Sequence, residues 1–396
     1  MILLLLALAL MGIVSIVYLS YFAIVLKTRK SQEYLSKMDK VIEHPINSSQ
    51  FPNVSILIPA YNEEDTIYDK IKNISELDYP SEKIILFVLD DASTDKTREL
   101  ATKAFGDFGI NGRIFKNDVR SGVNVSYNHA FERIETEYAL TTDADSFIPA
   151  GSLRDAVKIL MQYPDVGGVA ARMVPLSRER TPATRVSHTY SEQLNSMYVA
   201  ESALYSTFPG STSCLLIRKT AFSPISTIYG SSDGNISLSM LRKGYRLILV
   251  PRIVYYEPIS EGMFEQRRQK IRRASRLIQS TLINYRILFA KKYKEFGRSI
   301  FPLRFLMMIF CPMLTLISTV LFFLFLYSVS VSFFLFALAS AIIIMTLGTK
   351  SNLSVSNSVM SFIVHQFYLI AGLVMSPRKL SIWRSINREA KAIMST

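Results

Sequence analysis

Tyr138-Ala139-Leu140-Thr141-Thr142-Asp143-Ala144-Asp145 is a short β-like run that ends in two carboxylates one residue apart. Carboxylates this close repel each other unless a cation shares them. Hard oxygen ligands suit Mg2+ or Mn2+, and such ions keep coordination positions open for substrate phosphates. An acidic turn after a strand is also an ordinary solvated feature, so its meaning depends on the surrounding sequence.

Upstream, Val54-Ser55-Ile56-Leu57-Ile58 reads as a buried strand followed by the loop Pro59-Ala60-Tyr61-Asn62-Glu63-Glu64. Ile84-Ile85-Leu86-Phe87-Val88-Leu89 is a second apolar strand, ending in Asp90-Asp91-Ala92-Ser93-Thr94-Asp95. Helical patterns over 66–77, 96–105 and 123–134, with a short strand near 113–115, fill the intervals. Apolar strands alternating with helices specify a parallel α/β sheet, and such sheets bind ligands at the carboxyl ends of their strands. Three of these strands end in polar or acidic loops, which one pocket can collect. No Gly-x-Gly-x-x-Gly follows the first strand and no Gly-Lys-Ser/Thr loop occurs. The standard dinucleotide and ATPase phosphate cradles are therefore excluded.

The 396 residues are 49% hydrophobic, and the excess sits at the two ends. Ile2 to Leu26 carries no ionisable side chain and is long enough to span a bilayer as a helix; it reads as an anchor, since it lacks the basic start of a signal peptide. Lys27, Arg29 and Lys30 follow at once and hold the next segment in the cytoplasm. Phe305 to Thr349 has no charged residue and suits two crossings with a turn at 327–332; Ser351 to Pro377 is a third charge-free stretch, either a crossing or an interfacial segment. Three crossings after the α/β region put the C-terminus outside, whereas Arg378, Lys379, Arg384, Arg388 and Lys391 argue for inside. The net charge of +13 points to anionic partners. Cys214 and Cys311 make no disulfide or metal framework, and four scattered histidines read as packing or surface residues.

Taken in order, Pro59-Ala60-Tyr61-Asn62-Glu63, Asp90-Asp91-Ala92-Ser93-Thr94-Asp95 and Asp143-x-Asp145 resemble the GT-A nucleotide-sugar fold of the family 2 glycosyltransferases. Phe208-Pro209-Gly210-Ser211 with Ile217-Arg218 is similar to that family's acceptor-side segment. Ser232-Asp233 sits where membrane synthases carry Glu-Asp, and Gln269-Lys270-Ile271-Arg272-Arg273 resembles Gln-x-x-Arg-Trp. The likeness covers roughly residues 52–290. It implies an α/β GT-A cytosolic domain with a Rossmann-like mixed sheet, plus α-helical transmembrane segments. The implied division is a transmembrane helix at 1–27, a linker at 28–51 and a GT-A domain at 52–260. Amphipathic basic interface helices follow at 261–300, two or three transmembrane helices at 301–376, and a basic cytosolic or interfacial tail at 377–396. Three departures stand out: Ser232 replaces the Glu, Arg273 replaces the Trp, and the usual Gly-Lys pair reads Gly122-Val123, with Arg120 able to supply the charge. Loss of the Trp bears on processive chain extension rather than on sugar transfer.

The resemblance assigns roles. Pro59, Tyr61, Glu63, Asp90, Asp91 and Asn128 hold the nucleotide, with Asp143 near ribose or sugar. A Mg2+ or Mn2+ on Asp145 and Asp143 spreads charge over the diphosphate. Asp233 is the candidate base for the acceptor hydroxyl; on local sequence alone the turn or helix N-cap reading of Asp233-Gly234-Asn235 comes first. Gln269, Arg272 and Arg273 donate to the leaving phosphates, and Gly210 and Ser211 lie on the acceptor side. Six of the ten residues from Arg267 to Arg276 are basic, which also suits a helix lying on anionic lipid.

The implied activity is inverting, metal-dependent transfer from a nucleotide-diphosphate sugar, a UDP-sugar by prior. It acts at the cytoplasmic membrane face on a growing polysaccharide or a lipid-linked acceptor. The alternative is single-sugar transfer to a polyprenyl phosphate or glycolipid. A non-catalytic membrane-tethered scaffold leaves the acidic strand ends unexplained, and no nucleic-acid partner is expected.

Overall fold

The computed structural model describes residues 1–25, 28–177, 181–210, 212–259, 263–350 and 354–378. Two helices, α1 (Ile2–Val25) and α2 (Thr28–Glu43), lead into an α/β body. Its elements are β1 (Val54–Ala60), α3 (Ile67–Ser75), β2 (Ile84–Asp90), α4 (Thr97–Asp107), β3 (Gly112–Lys116), α5 (Val123–Arg133) and β4 (Tyr138–Thr142). There follow α6 (Ser152–Gln162), β5 (Val166–Leu176), α7 (Pro182–Leu204), β6 (Cys214–Arg218), α8 (Ser232–Arg242) and β7 (Arg246–Pro258).

The seven strands form one mixed sheet in the order β3-β2-β1-β4-β6-β5-β7. The first four are parallel; β6 runs antiparallel to both β4 and β5, and β7 is parallel to β5. This single inversion matters for the site. It brings the start of β6 beside the ends of β4 and β7, pairing Thr142 with Cys214. Both sheet faces are covered, so alternate residues of β1 feed different cores. Ile56 and Ile58 pack with Ile71 and Ile74 on one face, while Leu57 joins Phe87, Tyr127 and Phe131 on the other.

Residues 28–51 depart from a plain linker. Tyr34, Met38 and Ile42, spaced at i, i+4 and i+8, are buried against the body and make α2 a docked amphipathic helix. The buried Lys158 ammonium fastens its end, donating to Ile42 O at 2.7 Å and His44 O at 2.8 Å. Charge patterning hid this helix because its outer face is strongly polar.

After β7 come α9 (Met263–Ile283), α10 (Phe301–Phe305), α11 (Cys311–Val329), α12 (Val331–Lys350) and α13 (Ser354–Met375). Two π turns merge α10 and α11 into one helical run, Phe296–Val329. The second, Leu306–Phe310, directly precedes Pro312, whose missing N–H and ring bulk a regular turn accommodates poorly. Among the described residues, α1 and Phe296–Val329 are long and apolar enough to cross a membrane; Val331–Ile343 and Met360–Met375 are shorter apolar stretches. The two long helices touch, with Ser318 Oγ donating to Ala7 O at 2.8 Å. The third charge-free stretch, α13, lies along α9 and α7. A Cβ at Gly372 would stand 2.9 Å from Ser275 N, so the α9 and α13 backbones approach as closely as glycine allows. Lys379, Arg384, Arg388 and Lys391 of the basic tail lie outside the described residues.

Candidate active site

The loops after β1 and β2 are stitched together. Asn62, at φ 54°, donates its N–H to Ser93 Oγ and accepts Thr94 N at Oδ1, at 3.1 and 2.9 Å. Glu63 N donates to Thr97 Oγ1 at 2.8 Å, and Glu64 N to Asp95 Oδ2 at 3.1 Å. Asp95 also accepts Thr97 N, so it organises the loop before α4. The Glu63 carboxylate accepts Thr66 Oγ1 at 3.0 Å, beside the start of α3. Pro59 pairs with Leu89 in the sheet beneath.

The two aspartates at the end of β2 do different things. Asp90 is fully buried; Oδ1 accepts Ser93 N at 3.0 Å, while Oδ2 faces Arg98 Nε at 3.5 Å and accepts no hydrogen bond. It is a buried acceptor without a hydrogen-bond donor, which a ligand N–H can satisfy. Asp91 accepts from Asn117 Nδ2, Ser121 N and Gly122 N at 2.7–2.9 Å, and so shapes the turn that starts α5. Gly122 there has φ 90°, a conformation suited to glycine. Arg120, on the same loop, lies 3.5 Å over the Tyr61 ring with Nε and Nη2 buried and without hydrogen-bond partners. Asn128 is a staple: its amide exchanges two 2.9 Å bonds with the backbone of Ile225.

Across the inversion at β6, Asp143 and Glu257 converge on one hydroxyl. Ser213 Oγ lies 2.7 Å from Asp143 Oδ2 and 3.1 Å from Glu257 Oε2. One hydroxyl proton serves one carboxylate at a time. Glu257 is balanced by Arg273, whose Nη2 is 2.5 Å from its Oε1. Arg273 is thereby paired inside the site, and the Glu257 charge raises its already high pKa. The neighbouring amide, Thr212 N, donates to Asp233 Oδ2 at 3.2 Å. Asp233 stands in the first turn of α8, capped by Ser231 Oγ, which accepts Gly234 N. Burial, and then the negative charge of Asp143, push its carboxyl up to about 7.

Helix α9 closes over these acids. Arg272 is lowered to about 9 by burial and by the neighbouring Arg273 and Arg276, and Arg276 is lowered chiefly by burial, with Asp233 opposing. Gln269 is half-buried on the same helix, one turn before Arg273. A Cβ on Gly210 would stand 2.7 Å from the Leu277 side chain, so this segment hugs α9. Ser211 lies outside the described residues.

The acid pair suits a divalent ion. Asp145 is 4% exposed and Asp143 partly buried on the same turn. Among the described residues no group of three or more His, Cys, Asp or Glu is placed to hold a metal. One or two carboxylates, with waters and substrate phosphates completing the shell, is the Mg2+ pattern rather than an all-protein cage.

Two residues escaped the sequence reading. Glu257 ends the strand Tyr255-Tyr256-Glu257-Pro258, the same polar-end signal used for the first three strands. Lys70 had no signal. Its ammonium, fully buried under the acidic turn, donates to Ser146 O at 2.6 Å and Thr142 Oγ1 at 2.8 Å, and burial lowers it to about 7.

Residues 55–225 match the model of glycosyl transferase family 2. The N-acetylglucosaminyltransferase of Azorhizobium caulinodans is 28% identical over 255 residues, which cover 60% of this chain and 62% of that protein. That of Rhizobium meliloti is 21% identical over 282 residues, covering 67% and 66%. The chain thus spans about three fifths of the length of the first of these relatives. Among solved structures, the mannosyltransferase PcManGT from Pyrobaculum calidifontis, in complex with GDP-Man and Mn2+, superposes with a TM-score of 0.71 at 22% identity. The superposition covers 95% of this chain and 99% of that one, and it shows a shared GT-A fold. The three acidic strand ends gathered at one edge of this sheet thus lie within the stretch, residues 55–225, that is similar to glycosyl transferase family 2.

Proposed function

We infer that the protein transfers a sugar, with inversion, from a nucleotide-diphosphate sugar to an acceptor hydroxyl at a membrane surface. The observation that carries this reading is the pairing of Asp233 with Asp143 around the Thr212-Ser213 backbone. One carboxylate is poised to take a proton and the other stands on the metal-binding turn. Asp143 and Asp145 would hold Mg2+ or Mn2+, and the ion supplies charge neutralisation of the diphosphate leaving group. Asp233 removes the proton from the attacking hydroxyl; a carboxylate near 7 matches its basicity to a neutral working pH. Arg272 and Arg276 add positive charge on the leaving-group side. On the nucleotide side, Asp90 Oδ2 accepts a base N–H, and the Arg120–Tyr61 stack supplies a flat cationic wall. A uracil imide has the required donor, and the names of the relatives put an N-acetylglucosaminyl donor first for testing.

The two long apolar helices anchor the domain, and the basic face of α9 lies at the head groups. Polysaccharide extension and single-sugar transfer to a polyprenyl phosphate or glycolipid both fit this chemistry. The test is a donor screen with purified protein, with Mn2+ or Mg2+, following nucleoside diphosphate release with and without membrane lipid. No release with any donor overturns the reading; a ladder of product lengths selects extension.

A further inference from the structure

Gln279 is 3% exposed on α9 and bonds in two directions. Its Oε1 accepts Gly230 N at 2.9 Å; its Nε2 donates to Ser376 O at 2.8 Å and Arg378 O at 3.0 Å, just past the end of α13. An amide has one accepting and one donating end. Two carbonyls on the donating end therefore set which end faces Gly230.

Gly230 begins the turn that presents Asp233. It has φ 86°, and a Cβ there would lie 2.5 Å from both Asn235 Oδ1 and Ser280 Oγ, so the turn has one tight arrangement. Ser231 N is held by Ser280 Oγ at 3.0 Å, and Ser231 Oγ caps α8 at Gly234 N. Asp233 follows two residues later. Left without Oε1, the buried Gly230 N–H loses its partner, a cost large enough to move the turn.

Resting on the transferase reading above, we propose that Gln279 is a positioning residue for Asp233, and that the segment Ser376 to Arg378 is a strap that orients it. The end of α13 thereby stays on the catalytic side of the membrane and forms part of the base's support.

Two proteins test this: one truncated after Met375, and full-length Gln279→Glu, which keeps an acceptor towards Gly230 but sets a carboxylate against two carbonyls. The assay is nucleoside diphosphate release from the donor identified by the screen, in detergent, with donor KM and Mn2+ affinity (electron paramagnetic resonance) measured in parallel. The expected result is a kcat fall of about tenfold in each. Donor KM and Mn2+ affinity stay within about twofold, because Tyr61, Asp90, Asp143 and Asp145, the residues proposed for the nucleotide and the metal, lie on other elements and make no contact with Gln279. Gln279→Asn, too short to reach both partners, falls likewise. Wild-type kcat in the truncated protein overturns the strap; wild-type kcat in Gln279→Glu overturns the positioning role. A parallel loss of kcat, donor affinity and melting temperature also overturns it, since that marks a general packing defect. Failure of the transferase reading is distinguishable, because the unaltered protein then releases no diphosphate.

Discussion

Glu201 Oε2 and Arg304 Nη1 meet at 3.1 Å, with both side chains shut off from solvent. The carboxylate also accepts Tyr21 Oη of α1 and Thr207 Oγ1, each at 2.5 Å, and Arg304 reaches Phe208 O at 3.1 Å. One acid thus joins both long apolar helices to the segment that delivers Thr212 and Ser213. A buried pair broken on one side leaves an uncompensated charge, so Glu201→Gln should lower stability by about 3 kcal/mol. Chemical denaturation in detergent measures it. The double substitution Glu201→Met with Arg304→Met should cost less than the single change, because neither charge is then stranded.

Asp233→Asn should reduce turnover by a factor of about 10² to 10⁴ while leaving donor binding intact, the range expected for losing a general base. The same change has a stability signature. The folded pKa of Asp233, about 7, lies above its ordinary 3.8. Its contribution favours the folded state below about 4 and is lost as pH rises through 7. At pH 8 the wild type carries the full cost of a buried charge, so the variant should melt higher than wild type at pH 8. That advantage should vanish near pH 4. A melting-temperature difference that does not vary with pH would contradict the raised pKa.

Chelation with EDTA should abolish diphosphate release, and added Mn2+ or Mg2+ should restore it. Asp145→Ala should raise the Mn2+ concentration for half-maximal activity at least tenfold. Equal activity in EDTA removes the metal from the reaction.

Asp90 and Asp91 should separate cleanly. Asp91→Ala strands three donors of the turn before α5 and should destabilise the fold by about 2 kcal/mol. Asp90→Asn keeps the shape but presents an amide where a base N–H would bind. It should raise donor KM by about tenfold with little change in kcat.

Membrane orientation is open to labelling. Arg378→Cys should react with an impermeant thiol reagent from the same side as the α/β body, and Ser332→Cys, at the α11–α12 turn, from the opposite side. Labelling of both from one side rules out the hairpin crossing of α11 and α12.

Much of the α/β body was legible because local signals agreed with the fold. Ile56, Leu57 and Ile58 are apolar in succession because β1 is buried on both faces, and Asp90 and Asp143 fall where parallel strands end. What sequence could not supply was contact across long separations. Glu257 becomes part of the candidate site only because β6 is inverted, a property of topology that Cys214 to Arg218 do not encode locally. Lys70 sits in a helical pattern where a lysine ordinarily faces water; only the packing of α3 beneath β4 turns it inward. Asn128 and Asp91 carried the motif, yet their bonds go to backbone at Ile225 and Gly122, a scaffolding task that motif order cannot distinguish from ligand contact.

The backward course of β6 has one more effect. The pocket wall made by Asp90 and Asp143 is carried by strands running outward from the sheet, whereas Thr212 and Ser213 precede their strand and follow Thr207, whose hydroxyl donates to Glu201, the acid that Tyr21 and Arg304 of the apolar helices also bond. The two walls therefore answer to different parts of the chain. On the proposed reading, lineages could exchange one acceptor for another by altering residues 205–283 and the helices behind them, while the donor machinery of residues 54–145 passed down unchanged.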